Sequence, residues 1–205
     1  MASVTAFMDR IMSGARGRAR APRVLAEERL TPEQLRDVGS KVALRALRGK
    51  GLGLVARRAL KAHERVGVYA GKVFSAAEHA RLTREGATTG KYAVDHFRTG
   101  ADGRTRSDYI MDPGAGAGNA MHPDHANVLA AFINEPAQGQ VPNCVWVRNH
   151  ASGRMELWTA RAVPKGAELT ACYGTGYPRD YATPCTRVPG ALHQLLPGQR
   201  VPTQV

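Results

Sequence analysis

Cysteine is scarce in this 205-residue chain, which has three, at Cys144, Cys172 and Cys185. So few cysteines cannot build a disulfide framework, and none of them has the CxxC or CxC spacing that is typical of zinc sites. We therefore expect a reducing compartment.

Long apolar runs are also missing. No segment approaches the roughly 18 consecutive apolar residues that cross a bilayer, so we predict no membrane span and no membrane partner. The length suits one domain with a small appendage, because domains usually contain about 100–200 residues.

Acidic residues are few near the amino terminus. Residues 1–58 carry 13 Lys and Arg against 5 Asp and Glu, and they contribute most of the formal net charge of +12. An arginine-rich stretch such as GARGRARAPR binds polyanions through counterion release, yet the same composition suits a solvated tail. The first 23 residues contain one acid, Asp9, which is also the composition of an organelle transit segment. We interpret residues 1–29, which lack a stable period, as a disordered basic arm.

Two short helices carry start signals. Thr31 can cap the first, Gln34 three positions later completes a capping box, and Gly39 is expected to end it. Ser75 and Glu78 form the same pattern at the start of SAAEHARL, which predicts the second helix.

The rest of the chain from Val42 consists of short alternating runs between Gly, Pro or charged turns. The runs are VALRAL, LGLVA, RVGVYAG, YAVDHF, SDYIM, VLAAFIN, CVWVRN, MELWTA and ELTACYG. Many short strands at this spacing indicate a mainly β domain of small curved sheets rather than a doubly wound fold.

The segments RALKAHERVGVY (58–69) and RAVPKGAELTACY (161–173) echo each other, and each ends in a tyrosine. Segments 112–127 and 174–205 are rich in Gly or Pro and predict loop and tail.

Glycines open one of these strands. Gly51 and Gly53 bracket Leu52, and their missing side chains let a ligand approach the backbone. No helix is predicted directly after them, so the Rossmann and P-loop interpretations of a glycine-rich loop fail.

Polar side chains mark the ends of other strands. Asn134 ends an apolar run and Asn143 precedes another, so their amides can hold a ligand or can satisfy the backbone of a turn. Tyr173 lies where the last strand meets Gly174, as a half-buried core residue or as a phenol directed into a cleft.

The order of these motifs resembles the SET domain of protein lysine methyltransferases. The motifs are the GxG of RGKGLGLVARRAL, then VYAG, FIN…PNC and ELTxxYG, and the resemblance covers about residues 41–177. It implies a mainly β, β-clip SET fold, with small curved sheets around a pseudoknot in which the FIN and ELT segments cross. The implied organisation is a basic arm and short helix at 1–40, a SET domain at 41–177 and a Pro/Gly-containing tail, able to act as a lid, at 178–205.

The resemblance also implies S-adenosyl-L-methionine (AdoMet) as the cofactor, and it assigns site residues. Tyr173 corresponds to the catalytic tyrosine. The cofactor-binding set is Lys50, Gly51, Leu52, Gly53, Tyr69, Asn134 and Glu135. Candidate walls of a substrate channel are Tyr92, Tyr109, Trp146 and Ala171, for which simple core packing is the alternative.

The sequence departs from the family pattern in three places. Glu135 replaces the usual histidine, and we expect its carboxylate to be electrostatically favourable near a sulfonium. Cys172 replaces an aspartate. The cysteine cluster that binds zinc after the SET core is missing, so we predict no zinc and expect ALHQLLPG in the tail to close the cofactor side.

The resemblance predicts methyl transfer from AdoMet to a lysine side chain, with a histone as the favoured substrate. It also favours a nuclear, chromatin location, with contact to DNA or the nucleosome through the basic arm. The alternatives are a methyltransferase for a non-histone protein and a catalytically decayed SET-like chromatin interaction module. A nucleic-acid-binding protein of another fold would need aromatics interleaved with arginines, which the sequence lacks.

Overall fold

The structure is a computed structural model that describes residues 21–99, 105–114, 126–149, 154–174, 177, 179–186 and 193–195. The first 20 residues of the predicted basic arm, part of the predicted loop at 112–127 and most of the tail lie outside the described residues. The described elements are β1 (Ala26–Glu28), α1 (Pro32–Lys41), β2 (Val42–Leu47), β3 (Gly51–Ala56), β4 (Arg65–Val68), β5 (Gly71–Ser75), α2 (Ala76–Arg84), β6 (Val94–Thr99), β7 (Thr105–Asp112), a 3-10 helix (Ala126–Phe132), β8 (Cys144–Asn149), β9 (Met155–Thr159), a second 3-10 helix (Pro184–Thr186) and β10 (His193–Leu195).

The strands form three small sheets, as the alternating runs predict. One sheet has the order β1-β5-β7-β6, another β10-β8-β9-β4, and the third is the hairpin of β2 and β3. All pairings are antiparallel except that of β10 with β8. The prediction of a mainly β fold with few short helices is confirmed. Neither helix in the described part of the chain has the length and apolar character needed to cross a bilayer.

The main core lies between the β2–β3 hairpin, β4, β9 and the longer 3-10 helix. Its most enclosed side chains include Leu54, Val66, Ile133, Leu157 and Leu169. Burying one such side chain contributes about 1.5–3 kcal/mol. Because these residues come from separate parts of the sequence, the core holds the glycine hairpin, the FIN segment and the ELT segment together.

Helix α1 starts as predicted but ends later. The Thr31 hydroxyl accepts from the Gln34 backbone N–H at 3.2 Å, and the Gln34 side chain accepts from the Thr31 N–H at 2.9 Å, which completes the capping box. The prediction that Gly39 ends the helix is wrong, because α1 continues to Lys41. In its last turn Lys41 Nζ donates to the Asp37 carboxylate at 2.6 Å, an i, i+4 contact that helps to hold the extra residues helical.

Two predictions of local structure were wrong, because tertiary contacts decide the conformation of both segments. Residues 1–29 are not arm throughout, because Ala26–Glu28 pairs with β5 and Leu25 N–H donates to the Val73 carbonyl at 2.8 Å. The run VLAAFIN is not a strand, because Ala126–Phe132 forms a 3-10 helix. Short apolar runs fit a buried helix as well as a strand, and periodicity alone does not separate the two.

The two echoing segments, 58–69 and 161–173, pair with each other in space. Leu60 N–H donates to the Val163 carbonyl at 2.9 Å, and Val163 N–H donates to the Leu60 carbonyl at 3.0 Å. These two residues hold equivalent positions in the two segments, so the contact has the form of a local two-fold relation.

The turns that follow repeat the same relation. His63 N–H donates to the Thr159 carbonyl at 2.9 Å, and Gly166 N–H donates to the Ala56 carbonyl at 2.8 Å. Both turn residues have positive φ, 59° for His63 and 84° for Gly166. The echo in the sequence therefore corresponds to two similar chain reversals, one leading to β4 and the other to the ELT segment.

Candidate active site

The loop between Asn134 and Asn143 is folded around the ELT segment. Asn134 forms a parallel bridge with Thr170, and its carbonyl accepts from the Ala171 N–H at 3.0 Å. The Asn143 amide donates to the Glu168 carbonyl at 2.8 Å and accepts from the Thr170 N–H at 2.8 Å. An asparagine amide offers a donor and an acceptor, so it can replace one step of a strand ladder. The two asparagines thus hold the two segments at their crossing.

The glycine hairpin approaches the same crossing. A Cβ atom on Gly53 would lie 2.6 Å from Asn134 Nδ2 and 2.4 Å from Leu47 Cδ1. Real Cβ atoms essentially never show contacts this short. Asn134 Nδ2 also donates to the Leu52 carbonyl at 3.2 Å. Gly51 lies beside it with a φ of +75°, a conformation that favours glycine.

Charged groups surround the Asn134 amide. Lys50 Nζ lies 2.8 Å from Glu168 Oε2, and Asn134 Nδ2 donates to Glu168 Oε1 at 3.1 Å. The side chains of Lys50 and Glu168 are 26% and 22% exposed, so a ligand at this surface could contact both. An ammonium, a carboxylate and a backbone carbonyl side by side are the groups that would bind the zwitterionic end of an amino acid. Sequence reasoning did not single out Glu168.

Tyr173 lies on the other side of the crossing. Its hydroxyl donates to the Ile133 carbonyl at 2.6 Å, and its backbone N–H donates to Glu135 Oε1 at 2.8 Å. Its ring packs edge-on against Tyr177, with centroids 4.8 Å apart. Burial raises the pKa of the Tyr173 phenol well above its usual value, so the hydroxyl is neutral at physiological pH.

Aromatic side chains continue from this point into the core. Tyr69 is buried, its hydroxyl donates to the Tyr92 carbonyl at 2.5 Å, and its ring packs edge-on against Trp146 at 5.4 Å. Tyr92 packs against Phe132 at 6.4 Å, and Tyr109 joins the apolar cluster around Tyr69. Burial, and secondarily nearby Asp112 and the other tyrosines, raises the pKa of Tyr69. The predicted channel aromatics therefore lie near one another in two adjoining clusters.

Ala171, the remaining predicted channel residue, is fully enclosed. It belongs to the main core cluster, against which Tyr92 and Tyr173 also pack. A larger side chain there would have to displace its neighbours, and overpacking a core typically costs about 1–3 kcal/mol.

The Glu135 carboxylate is paired within the chain. Arg179 Nε and Nη2 donate to its two oxygens, each at 2.7 Å, and the expectation that this carboxylate is electrostatically favourable near a sulfonium stays a prediction. Tyr181 donates a further hydrogen bond at 2.9 Å, in addition to the one from the Tyr173 N–H. Burial opposes ionisation, but the bonds from Arg179, Tyr173 and Tyr181 outweigh it and lower the pKa of Glu135. Removing one partner of such a buried pair typically costs about 3–5 kcal/mol.

Sequence reasoning missed Arg179 and Tyr181 altogether. The signal was the cluster YPRDY two residues after the ELTACYG motif, where an arginine and two tyrosines follow the predicted catalytic tyrosine. Without coordinates nothing links that cluster to Glu135, which lies 44 residues away from Arg179 in sequence.

The cysteines also differ from expectation. Cys172 and Cys185 form a disulfide, with their Cα atoms 5.3 Å apart, whereas Cys144 is a buried thiol. Disulfides are rare in reducing compartments, so this pair does not support the expected reducing compartment, which stays a prediction. Glu135, Cys172 and Cys185 also bring potential metal-ligand atoms within 4.8 Å of one another. The sulfurs are bonded to each other and the carboxylate is bound by Arg179, so this set is already occupied, and the absence of zinc stays a prediction.

Described residues of the tail contact the domain both near Glu135 and at β8. Of the predicted closing segment ALHQLLPG, the described residues His193–Leu195 pair with Val147–Asn149. These are at the end of β8 away from Cys144, whose N–H bonds to Thr170 at the crossing. The part of ALHQLLPG that the structure describes is thus a sheet edge, and closure of the cofactor side by this segment stays a prediction. It is the segment around Arg179 that covers Glu135.

A cavity of about 370 Å³ opens beside the crossing. Its walls include Gln140, Asn143, Arg161, Glu168 and Thr170. Because Asn143 and Glu168 also fix the crossing, the cavity borders the site rather than forming a separate centre.

A family model for the SET domain matches residues 51–174, more than half of the chain. The match begins at the first glycine of the GxG motif and ends directly after Tyr173. A search of curated proteins finds no match. SET-domain proteins are generally AdoMet-dependent protein lysine methyltransferases, and the arrangement of small sheets around crossed segments is consistent with that family. The chain belongs to the SET-domain family.

Proposed function

We propose that this chain transfers a methyl group from AdoMet to a lysine side chain of a protein, with a histone as the favoured substrate. The observation that carries the proposal is the convergence of three distant motifs. The Asn134 amide contacts the Leu52 carbonyl and the Glu168 carboxylate, while the Tyr173 hydroxyl bonds to the residue directly before Asn134.

The residues near the glycine hairpin fit the amino-acid end of AdoMet. Lys50 would bind its carboxylate, and Glu168 with the Leu52 carbonyl would bind its ammonium. Gly53 keeps the hairpin close to Asn134, because any side chain there would collide with the amide. When bound, AdoMet supplies a methyl group on a positively charged sulfonium.

The chain itself must present a neutral lysine amine in the right direction. A free lysine has a pKa near 10.4, so fewer than about one in a thousand is neutral at pH 7. A desolvated aromatic surround next to a positive charge lowers that pKa. Tyr69, Tyr92 and Trp146 are the aromatic residues that would form this surround.

Tyr173 orients the amine in this proposal. Its hydroxyl hydrogen is held by the Ile133 carbonyl, so the oxygen lone pairs can accept a hydrogen bond from the lysine amine. The raised phenol pKa keeps this group neutral throughout the physiological range. Alignment and desolvation are then the main sources of rate acceleration.

The basic amino-terminal region supports a chromatin location as a further part of the proposal. Residues 1–58 carry a net charge of +8, which favours contact with nucleosomal DNA over contact with a cationic histone tail. Binding to DNA should then weaken steeply with added salt, and measuring affinity against salt concentration in the full chain and in a chain without residues 1–23 tests this contact.

Incubation of the full chain with labelled AdoMet and either core histones or nucleosomes tests the activity. We expect label on histone lysine, and we expect the Tyr173→Phe variant to bind AdoMet normally but transfer little label. Label on other proteins but not on histones would redirect the substrate. AdoMet binding without transfer to any protein would favour a decayed interaction module.

A further inference from the structure

A buried ion pair lies directly beside the predicted catalytic tyrosine. The Glu135 and Arg179 side chains are 1% and 6% exposed. Arg179 approaches with two nitrogens, each 2.7 Å from a different carboxylate oxygen. Two parallel hydrogen bonds of this kind fix the relative orientation of both groups.

The same carboxylate holds the backbone of Tyr173. Glu135 Oε1 accepts from the Tyr173 N–H at 2.8 Å, and Oε2 accepts from the Tyr181 hydroxyl at 2.9 Å. The carboxylate thus has four hydrogen-bond donors from three residues. A carboxylate has about four lone-pair positions, so its acceptor capacity is filled and its orientation is fixed.

Arg179 also contacts the chain on the carboxyl side of Tyr173. Its Nη2 donates to the Gly174 carbonyl at 2.5 Å, and its Nη1 donates to the Tyr177 carbonyl at 2.7 Å. On the amino side, Cys172 is joined covalently to Cys185. Tyr173 is therefore held at its own N–H and through both neighbouring residues.

We propose that Arg179 is a positioning residue that acts through Glu135 to hold the Tyr173 backbone, and so directs the Tyr173 hydroxyl at the reacting amine. Tyr181 supports it by fixing the second carboxylate oxygen. The kinetic consequence rests on the methyltransferase function proposed above, whereas the positional claim can be tested without turnover.

The test compares Arg179→Gln, Arg179→Lys and Tyr181→Phe in the full chain. Arg58→Gln is the matched control, because Arg58 forms an exposed ion pair with Glu64 in the other echoing segment. Two readouts are taken on folded protein: kcat and KM for the lysine substrate across pH, and hydrogen exchange at the Tyr173 amide.

We expect Arg179→Gln to lower kcat by about 10- to 100-fold while KM changes by less than about threefold, because misalignment of reacting groups mainly affects the rate. Arg179→Lys should recover part of the loss, since lysine keeps the charge but not the two-pronged contact. The Tyr173 amide should exchange at least about tenfold faster in Arg179→Gln, and Tyr181→Phe should give a smaller change in the same direction. The control should match the wild type in both readouts.

The two proposals fail in different ways. If the wild type transfers no methyl group, the proposed function is wrong, but the exchange measurement still decides the position of Tyr173. If Arg179→Gln folds and its Tyr173 amide stays as protected as in the wild type, the positioning role is overturned. If Arg179→Gln does not fold, Arg179→Lys and Tyr181→Phe decide in its place, and unchanged kcat and exchange in both would overturn the role.

Discussion

The two echoing segments start alike and end differently. Both reverse direction at a residue with positive φ and pair with each other at Leu60 and Val163. The first then runs into a ladder with β9, which has one register shift between Arg65 and Gly67, and ends at Tyr69, which is buried. The second has only isolated bridges and ends at Tyr173, which is only partly buried.

The difference shows that the same chain reversal can lead either to a core strand or to a segment of the candidate site. The ladder satisfies the backbone of the first segment, so its tyrosine packs as part of the core. The second segment lacks a continuous strand partner, and besides its separate backbone hydrogen bonds the Asn143 side chain satisfies its Glu168 carbonyl and its Thr170 N–H. In a continuous sheet a neighbouring strand covers these backbone groups. Where a side chain bonds to them instead, space for a ligand can remain beside the backbone.

The largest expected contrast is between the two tyrosines. Tyr173→Phe should lower kcat by about 100- to 1,000-fold, because the hydroxyl that orients the amine is lost. Tyr69→Phe should instead lower the free energy of unfolding by about 1–1.5 kcal/mol, since it leaves the Tyr92 carbonyl without its donor. Kinetics and denaturant unfolding on both variants measure the two effects. Equal losses of activity would remove the functional distinction between the segments.

The covalent link gives the next largest contrast, because no described cysteine joins the first segment to another part of the chain. Cys172 and Cys185 are 13 residues apart, and closing a loop of that length typically stabilises a protein by about 3 kcal/mol. Denaturant unfolding of Cys185→Ser should show this loss. Reductant should destabilise the wild type by a similar amount and leave Cys185→Ser unchanged.

The Asn143 side chain, which clamps the second segment through two hydrogen bonds, can be removed by one substitution. Asn143→Ala would leave the Glu168 carbonyl and the Thr170 N–H without their partners, and each unsatisfied group costs about 1–3 kcal/mol. We expect a loss of about 2 kcal/mol in the free energy of unfolding, together with weaker AdoMet binding measured by calorimetry. A variant with unchanged stability would show that water replaces the clamp at little cost.

The two ion pairs should respond differently to acid. The pKa of Glu64 is lowered chiefly by its hydrogen bond from Arg58, and that of Glu135 is lowered by Arg179, Tyr173 and Tyr181 against the effect of burial. A lowered folded-state pKa gives stability that is present above the unfolded value of 4.5 and is lost as the pH falls through the folded value.

Unfolding measured from pH 7 down to pH 2 should therefore show a smaller acid-induced loss of stability in Arg179→Gln than in the wild type. Arg58→Gln should change this loss less, because its pair is more exposed, with Arg58 46% exposed against 6% for Arg179. If Arg58→Gln changed the acid-induced loss of stability more than Arg179→Gln did, the larger contribution could not be assigned to the Glu135–Arg179 pair.

The smallest expected effect lies at the equivalent turns. His63 has a φ of 59°, and its Nδ1 is buried without a hydrogen-bond partner. His63→Gly should raise the free energy of unfolding by about 1 kcal/mol, whereas Gly166→Ala should lower it by about 1 kcal/mol. Opposite signs in denaturant unfolding would support the equivalence of the turns, and a loss in His63→Gly would argue for a contact that only histidine makes.

Sequence reasoning predicted the elements whose signals are local. The capping box at Thr31, strands β2 and β3, and strands β8 and β9 depend on neighbouring residues, and they lie where the patterns indicated. It failed for VLAAFIN, whose apolar character fits both a strand and a buried helix. It also missed β1, since that strand forms only because β5 offers an edge to it.

The site residues also divide into those that the sequence predicted and those that only the structure revealed. The GxG, FIN and ELT motifs, in their order, were enough to place Asn134 and Tyr173 in one family pattern, and the structure brings the motifs together. Arg179 could not be found, because its importance comes from Glu135, to which no sequence spacing connects it. The hydrogen bonds that hold the Glu135 carboxylate could not be predicted for the same reason.

By itself the sequence determined the mainly β class, the family and the residue types available for chemistry, because strand alternation, turn residues and motif order are properties of neighbouring positions. The tertiary structure alone decided which charges are paired, which cysteines are joined and which tyrosine is enclosed. Those outcomes depend on distances between segments that are remote in sequence, and electrostatic and hydrogen-bond energies change steeply over a few ångströms.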